Sequence, residues 1–330
     1  MTGSTRRRLL GAAVALACAW GISATPAQAA GDYPTGPITM LVGYAAGGQT
    51  DLVARAAAKV MSERLGVPIN VVNVGRHAEP LRHHLGGAVA ARELQKASPD
   101  GYTLLFHANT VVNSAPFIMQ RVDFAPGDFE YAGMITAYQV GLVTQKDAPF
   151  DDLKGFVAWA RQNPGFSYGS LSPEARMYME QIARKEGLQA NIVPLKGGGE
   201  MINAILGRHV VLALSGGIHN KYPEQMKMVT ALTSFRHPSG PDVLTIEENG
   251  YPLGMDSRTT LFLPKGTPRP VLDRLAGALK AAGTDGGFKK VVAAANIPIM
   301  YFGVDEAYRE MAASYAKNKQ IMESVGIVAK

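Results

Sequence analysis

Apolar and polar positions along the chain repeat one order, and the repeat predicts the fold. The apolar run Ile38 to Val42 reads as a strand and is followed by the small-residue stretch GYAAGGQTD. Beyond Asp51, apolar side chains recur at Leu52, Val53, Ala56, Ala57, Val60, Met61 and Leu65, with Arg55, Lys59, Ser62 and Glu63 opposite. That spacing is helical and stops at Gly66, after which VPINVVNV reads as the next strand. The order returns with FSYGS, a helix opening at Ser172 and Pro173 and ending near Gly187, and the strand ANIVPL. Ser172 suits a helix cap and Pro173 the first helical position. A third copy follows, with the loop KGGGE, a short helix through Leu206, a stop at Gly207 and the strand HVVLAL. Two more helices, RPVLDRLAGALKAAG and VDEAYREMAASYAKNKQIMESVG, complete the chain. Alternation of this kind predicts α/β domains with mostly parallel sheets, whose ligands sit beyond the C-terminal ends of the strands.

The N-terminus does not belong to that pattern. Arg6, Arg7 and Arg8, the run LLGAAVALACAWGISA and the small residues PAQA ending at Ala29 read as an export signal, cleaved between Ala29 and Ala30. TRRRLL fits either a general secretory or a twin-arginine signal, and both lead to the periplasm. No comparable apolar run follows, so the mature protein is expected to be soluble. The one cysteine, Cys18, falls inside the signal. The mature chain therefore lacks disulfides, thiolate catalysis and thiolate metal sites. Loss of three arginines and no acids takes the formal charge from +6 to +3. Mild basicity without clustered Lys and Arg suits a small anion and argues against nucleic acid. The mature length predicts two domains.

The loop GYAAGGQTD lacks the Lys-Ser/Thr of a P-loop and the G-x-G-x-x-G spacing of a dinucleotide site. Small residues before a helix can still turn backbone N–H groups toward an anion, which the helix dipole favours; alternatively the glycines only make a turn and Asp51 only caps the helix. One such contact contributes about 0.3–2 kcal/mol, whereas micromolar binding needs about 8 kcal/mol. Several loops must cooperate, and Ser170 to Arg176 and Lys196 to Gly199 share the design. No G-x-S-x-G occurs, and the serines of YGSLSPE and ALSGGIH have no motif beside them that would make them nucleophiles. Asp151 and Asp152 read as a helix start. No residue is assigned a catalytic role, and no cofactor is called for.

Four stretches, YPTGPITMLVGYAAGGQTDLVARAAAKVMSERLGVPINVVN, ASPDGYTLLF, VPLKGGGEMINAILGRHV and LFLPKGTPRPVLDRLAGAL, resemble in order the landmarks of the Bug-type substrate-binding proteins of tripartite tricarboxylate transporters. The resemblance covers nearly all of the mature chain. It implies a periplasmic protein of two α/β domains (a type II-like binding protein) closing on a small carboxylate, di- or aromatic, and passing it to membrane permease subunits. It implies a discontinuous first domain, 30–134 plus 255–330, and a second, 135–254, with crossover strands near YQVGLVTQ and TTLFLPK. The ligand-binding set it implies is Tyr44, Ala46, Gly47, Gly48, Gln49, Thr50, Asp51, Asn109, Ser170, Ser172, Arg176, Gly197 and Gly198, with Asp51 meeting the ligand through water. A monomer is expected. A receptor serving a sensor instead of a permease shares every one of these features, and an exported hydrolase is the remaining alternative.

Three departures from the family pattern bear on specificity. Residues 74–85, VGRHAEPLRHHL, form a longer connection than usual and carry Arg76, His77, Arg82, His83 and His84. They form a surface excursion, a basic lid over an anion, or a weak metal site from His77, His83 and His84. Arg176 falls where the family has histidine, and it either grips a carboxylate with two donors or turns to solvent. Arg258 falls near a position where the family has an aromatic residue, which removes some apolar lining. Together they point to a ligand with more charge or polar surface, such as a dicarboxylate.

Overall fold

The computed structural model describes residues 33–44, 46–74, 86–119 and 122–327. The export signal and the basic residues Arg76, His77, Arg82, His83 and His84 lie outside the described residues. No helix among the described residues is long and apolar enough to cross a membrane.

The chain runs β1 (Ile38–Val42), α1 (Gln49–Leu65), β2 (Ile69–Asn73), α2 (Gly86–Lys96), β3 (Thr103–Ala108), α3 (Thr110–Asn113), α4 (Ala115–Ile118) and β4 (Phe129–Ala137). It continues through β5 (Gly141–Gln145), α5 (Leu153–Gln162), β6 (Phe166–Ser170), α6 (Pro173–Glu186), β7 (Ala190–Pro194), α7 (Gly198–Leu206), β8 (Leu212–Ser215) and β9 (Met226–Ala231). It closes with β10 (Arg258–Pro264), α8 (Arg269–Thr284), α9 (Gly286–Ala293), β11 (Ile299–Phe302) and α10 (Val304–Ser324).

Among the described residues the strands make two sheets, six strands in the order β11-β4-β10-β3-β1-β2 and five in the order β7-β6-β8-β5-β9. Each sheet contains a βαβαβ half whose three strands are parallel: β2-β1-β3 and β7-β6-β8. Most strands of each sheet share one direction, as expected, and both sheets are mixed. β10 is antiparallel to β3 and β4, β11 to β4, and β5 to β8 and β9. The reason is the connection: a helix returns the chain to start a parallel neighbour, whereas β4 runs on into β5 with no helix between them.

Helices cover both faces of each sheet. Val53, Ala57 and Met61 of α1 pack with Leu275 and Leu279 of α8 on one face of the first sheet, while Ala90, Ala91 and Leu94 of α2 cover the other with Phe129 and Phe262. In the second sheet Phe156 of α5 and Met179 and Ile182 of α6 lie on one face, and Met201 and Ile205 of α7 on the other. β10 is covered on both sides and every one of its residues is buried, the apolar run Leu261–Leu263 included. The outer strand β2 alternates half-buried and exposed residues.

The two crossings lie side by side. The first occupies 138–140, between β4 and β5. The return comes between Met255, whose side chain sits in the second sheet's core, and Arg258, which starts β10, so TTLFLPK is interior to the first sheet and follows the crossing. Tyr138 N–H donates to Ser257 O at 2.9 Å and so ties the two crossings. Gln139, 1% exposed, accepts from Ser239 N–H and Oγ–H at 3.2 and 2.7 Å and donates to Asn296 O. Around it stand two buried histidines. His219 Nδ1 meets Ser215 Oγ at 2.8 Å, and His237 Nε2 meets Thr233 Oγ1 at 2.9 Å.

α10 fastens the halves together. Its early residues Ala307 and Met311 pack in the first sheet's core, its late residues Ile321 and Met322 in the second's. Midway, Asn113 Nδ2 donates to Ser314 Oγ (2.9 Å) and Asn318 Nδ2 donates to Asn113 O and Ser114 Oγ. Met322 is fully buried. Met322→Ala is therefore expected to cost about 2–5 kcal/mol of unfolding free energy, measured by urea titration.

Burial makes a pH dependence as well. It pushes His107 down to about 4, His219 to about 3 with His237 adding to the effect, and His237 to about 4 against the opposing pull of Asp256. Each folded value lies below the ordinary 6.5, so the unfolded chain binds these protons first. Their stabilising contribution is complete above pH 6.5 and is lost as pH falls from 6.5 toward 4. The urea midpoint is expected to drop over that window, and His219→Gln to flatten the slope of midpoint against pH.

Candidate functional site

In an open α/β sheet the crevice for a ligand opens where two neighbouring strands send their following connections to opposite faces. In the first sheet this happens between β1 and β3, since α1, after β1, lies on one face and Val111 and Val112 of α3, after β3, on the other. In the second it happens between β6 and β8, flanked by α6 and α7. The described residues just beyond those four strand ends are Gly43, Tyr44, Ala46–Gly48, Asn109, Leu171–Ser172 and Gly216–Gly217.

The loop after β1 is built around Asp51. Its carboxylate, 3% exposed, accepts Gly47 N–H at 2.8 Å, Arg55 Nε–H at 3.0 Å and Asn73 Nδ2–H at 2.9 Å. Asn73 also donates to Tyr44 O at 3.0 Å, and Arg55 Nη2 donates to Asn73 Oδ1 at 2.9 Å. Burial pushes the Asp51 carboxyl up, but the hydrogen bonds from Arg55, Gly47 and Asn73 outweigh it and hold it below the usual range. Gly47 has φ +83°, a conformation that excludes most side chains. Gly48 caps α1 with no side chain, so the first N–H groups of the helix, through Thr50, keep no partner within it. Ala46 and Gly47 are exposed, and Gly48 and Gln49 half-buried.

Two contacts join this loop to the rest of the cleft. Thr50 Oγ1 and Tyr138 OH, on the first crossing, lie 2.5 Å apart. Gln49 reaches the second sheet's loop, where a Cβ on Gly217 would stand 3.0 Å from its Oε1. Gly217 also has φ +123°, so a side chain there is excluded both by the backbone and by Gln49. Tyr44 stacks on the buried His107 ring at 4.3 Å and leaves 43% of its own surface exposed.

Asn109, after β3, is fully buried. Its Oδ1 accepts Arg258 N–H at 2.9 Å, and its own N–H donates to Arg258 O at 2.9 Å. The first bond fixes the amide orientation, and it leaves Nδ2 buried without a partner. A buried donor left free is costly, about 1–3 kcal/mol, and calls for an acceptor from outside the chain.

On the second sheet, Ser170 Oγ–H donates to Ser172 O at 3.0 Å, and Ser172 caps α6 by accepting Ala175 N–H at 3.2 Å. Arg176 does not turn into this loop. Its Nε donates to Glu180 one turn along the same helix at 2.7 Å, with 61% of its side chain exposed. Gly197 and Gly198 open α7 after β7, Gly198 against Ile218, while the Glu200 carboxylate accepts Lys196 N–H at 2.6 Å. Arg258 is buried on Glu310 at 2.8 Å with its guanidinium over the Phe302 ring. It serves the first sheet and α10, while its backbone holds Asn109. Among the described residues no cluster of three or more His, Cys, Asp or Glu side chains could hold a metal.

The structure thus brings Tyr44, Gly47–Asp51 and Asn109 together on one side and Ser170 and Ser172 with the Gly216–Gly217 turn on the other. Sequence reading missed Asn73, Tyr138 and Ser215–Gly217. The last carried a readable signal: LALSGG repeats, after β8, the strand followed by small residues that marks β1. Asn73 and Tyr138 carried none, because their partners are distant in sequence.

The model of the tripartite tricarboxylate transporter family receptor matches residues 53–327. A Cupriavidus necator protein described as "UPF0065 protein in gbd 5'region" is 31% identical over 320 residues, 95% of both chains. The solved periplasmic binding protein BugD superposes with a TM-score of 0.76 at 23% identity, over 90% of this chain and 100% of that one. A Rhodopseudomonas palustris protein solved with adipate gives 0.75 at 22% identity, over 90% and 99%. At such identities the solved structures speak for the fold, a two-domain periplasmic binding protein. With the family model spanning most of the sequence and a full-length relative above 30% identity, the chain belongs to the Bug-type receptor family of the tripartite tricarboxylate transporters.

Proposed function

We propose that the protein is a periplasmic solute-binding receptor that captures a small carboxylate, di- or aromatic, between its two sheets and delivers it to the membrane subunits of a tripartite tricarboxylate-type transporter. Residues 1–29 direct export. The two lobes, one built on each sheet, move as a monomer about the crossings at Tyr138–Val140 and before Arg258. The observation that carries this reading is Asn109: a fully buried side chain whose Nδ2 has no partner, set at the strand end where a ligand of this fold sits.

One carboxylate is taken by Asn109 Nδ2 and the first-turn N–H groups of α1 at Gly48, Gln49 and Thr50. Ser170, Ser172, Gly197 and Gly198 face it from the second sheet, and Tyr44 supplies an aromatic wall. Arg176, paired with Glu180, is left out of the contact set. All these groups are neutral donors, so binding relies on their number and preorganisation. Adipate, the ligand of one structural relative, makes an aliphatic dicarboxylate the first acid to test. No step of bond making is required.

Purified mature protein is expected to bind one of succinate, adipate, benzoate or terephthalate with a stoichiometry of one and no turnover, its Tm rising with ligand concentration. Asn109→Asp keeps the acceptor for Arg258 N–H and replaces the free donor by an oxygen. It is expected to weaken binding by at least about 10-fold, the lower end for a hydrogen bond to a charged group. Unchanged calorimetric affinity in that variant would falsify the placement of the carboxylate.

A further inference from the structure

Asp51 is the residue through which the resemblance leads one to expect contact with the ligand. Its hydrogen bonds all turn inward instead. A carboxylate offers about four acceptor positions. Oδ1 accepts Asn73 Nδ2–H at 2.9 Å and has Arg55 Nη2 against it as an ion pair at 2.9 Å. Oδ2 accepts Gly47 N–H at 2.8 Å and Arg55 Nε–H at 3.0 Å. Three positions are taken by hydrogen bonds inside the protein, and only 5% of the side chain is exposed.

The donors form a closed set. Asn73 uses its two amide hydrogens on Tyr44 O and Asp51 Oδ1, and its oxygen receives Arg55 Nη2. One turn of α1 separates Asp51 from Arg55, and β2 brings Asn73 to the same place through its parallel register with β1, Val42 opposite Asn73. The set grips the loop at Tyr44 and Gly47, the two ends of its small-residue stretch.

We infer that Arg55 and Asn73 are positioning residues for the carboxylate-binding loop: they act through Asp51, which fixes the loop's shape and makes no contact with the ligand. The inference rests on the function proposed above. A loop rich in glycine and alanine loses much conformational freedom when it is ordered. Ordering it before the ligand arrives removes that cost from binding. The direction of the Asp51 shift agrees, since a carboxyl held below its usual range stays ionised and keeps its three hydrogen bonds throughout the neutral range.

The test compares Asp51→Asn, Arg55→Ala, Asn73→Ala and the Arg55→Ala/Asn73→Ala double variant in the mature protein. Without ligand, amide hydrogen exchange over residues 44–50 is expected to quicken at least 10-fold in every variant, with exchange in β3 and β10 unchanged. With adipate and its one-carboxylate counterpart hexanoate as probes, each single variant is expected to lose 10- to 100-fold in affinity. The double variant loses no more than about threefold beyond the worse single one, because both residues serve one loop. The ratio of the two affinities stays within twofold of the wild type in Asp51→Asn, a readout that loss of a ligand contact would shift. Unchanged loop exchange overturns the inference, as does a shifted ratio in Asp51→Asn or an additive double variant. If the wild type binds neither probe, the choice of ligand above fails, and the exchange comparison still decides the role of Arg55 and Asn73.

Discussion

The constraint on which the rest depends is the hand of the parallel crossover. A strand, a helix and a parallel neighbour join in one hand only, so a chain that adds β2 on one side of β1 and β3 on the other must place α1 and α2 on opposite faces. The loops leaving β1 and β3 then diverge and open a crevice at their common end. The second half repeats this with β6, β7 and β8. Two crevices formed in this way, turned to one another by adjacent crossings, make a cleft without any residue being selected for the purpose. What selection adds is the chemistry at the strand ends.

That chemistry is neutral. Burying a lone guanidinium or ammonium in such a crevice carries a desolvation penalty that only a bound anion could offset. Three nearby arginines are occupied instead. Arg55 serves Asp51, Arg176 serves Glu180, and Arg258 serves Glu310. Small residues, hydroxyls and one free amide remain at the strand ends. A neutral donor left vacant costs far less than a vacant charge, so the empty cleft stays compatible with a folded protein and with exchange of the ligand.

What could be read from the sequence was what neighbours along the chain decide. Gly66, Ser172 with Pro173, Gly187 and Gly207 mark helix ends through contacts within a few residues, and the structure puts helix ends there. The small-residue loop after β1 was legible for the same reason, as was the Arg176–Glu180 spacing, although the latter was passed over. Sheet direction was not legible, because pairing of β10 with β3 and β4 joins segments more than 100 residues apart. Nor was the grip of Asn73 on Asp51, 22 residues away, or of Tyr138 on Thr50, 88 away. Arg258, which the resemblance sets near an aromatic position, was read as part of the pocket lining, but its side chain leaves for Glu310 and only its backbone reaches Asn109.

The same long-range contacts decide how ligand capture can be transmitted. Thr50 lies in the first turn of α1, beside the N–H groups proposed to meet the carboxylate, and its hydroxyl rests on Tyr138 of the crossing. Tyr138 in turn is tied through its backbone to Ser257 on the returning strand. One residue further, Gln139 joins the segments holding Ser239 and Asn296. A ligand that fixes the position of α1's first turn would therefore act within one hydrogen bond of the first crossing and two of the second. On the proposed function, closure about those crossings needs no separate trigger, since Thr50 and Tyr138 are already in contact.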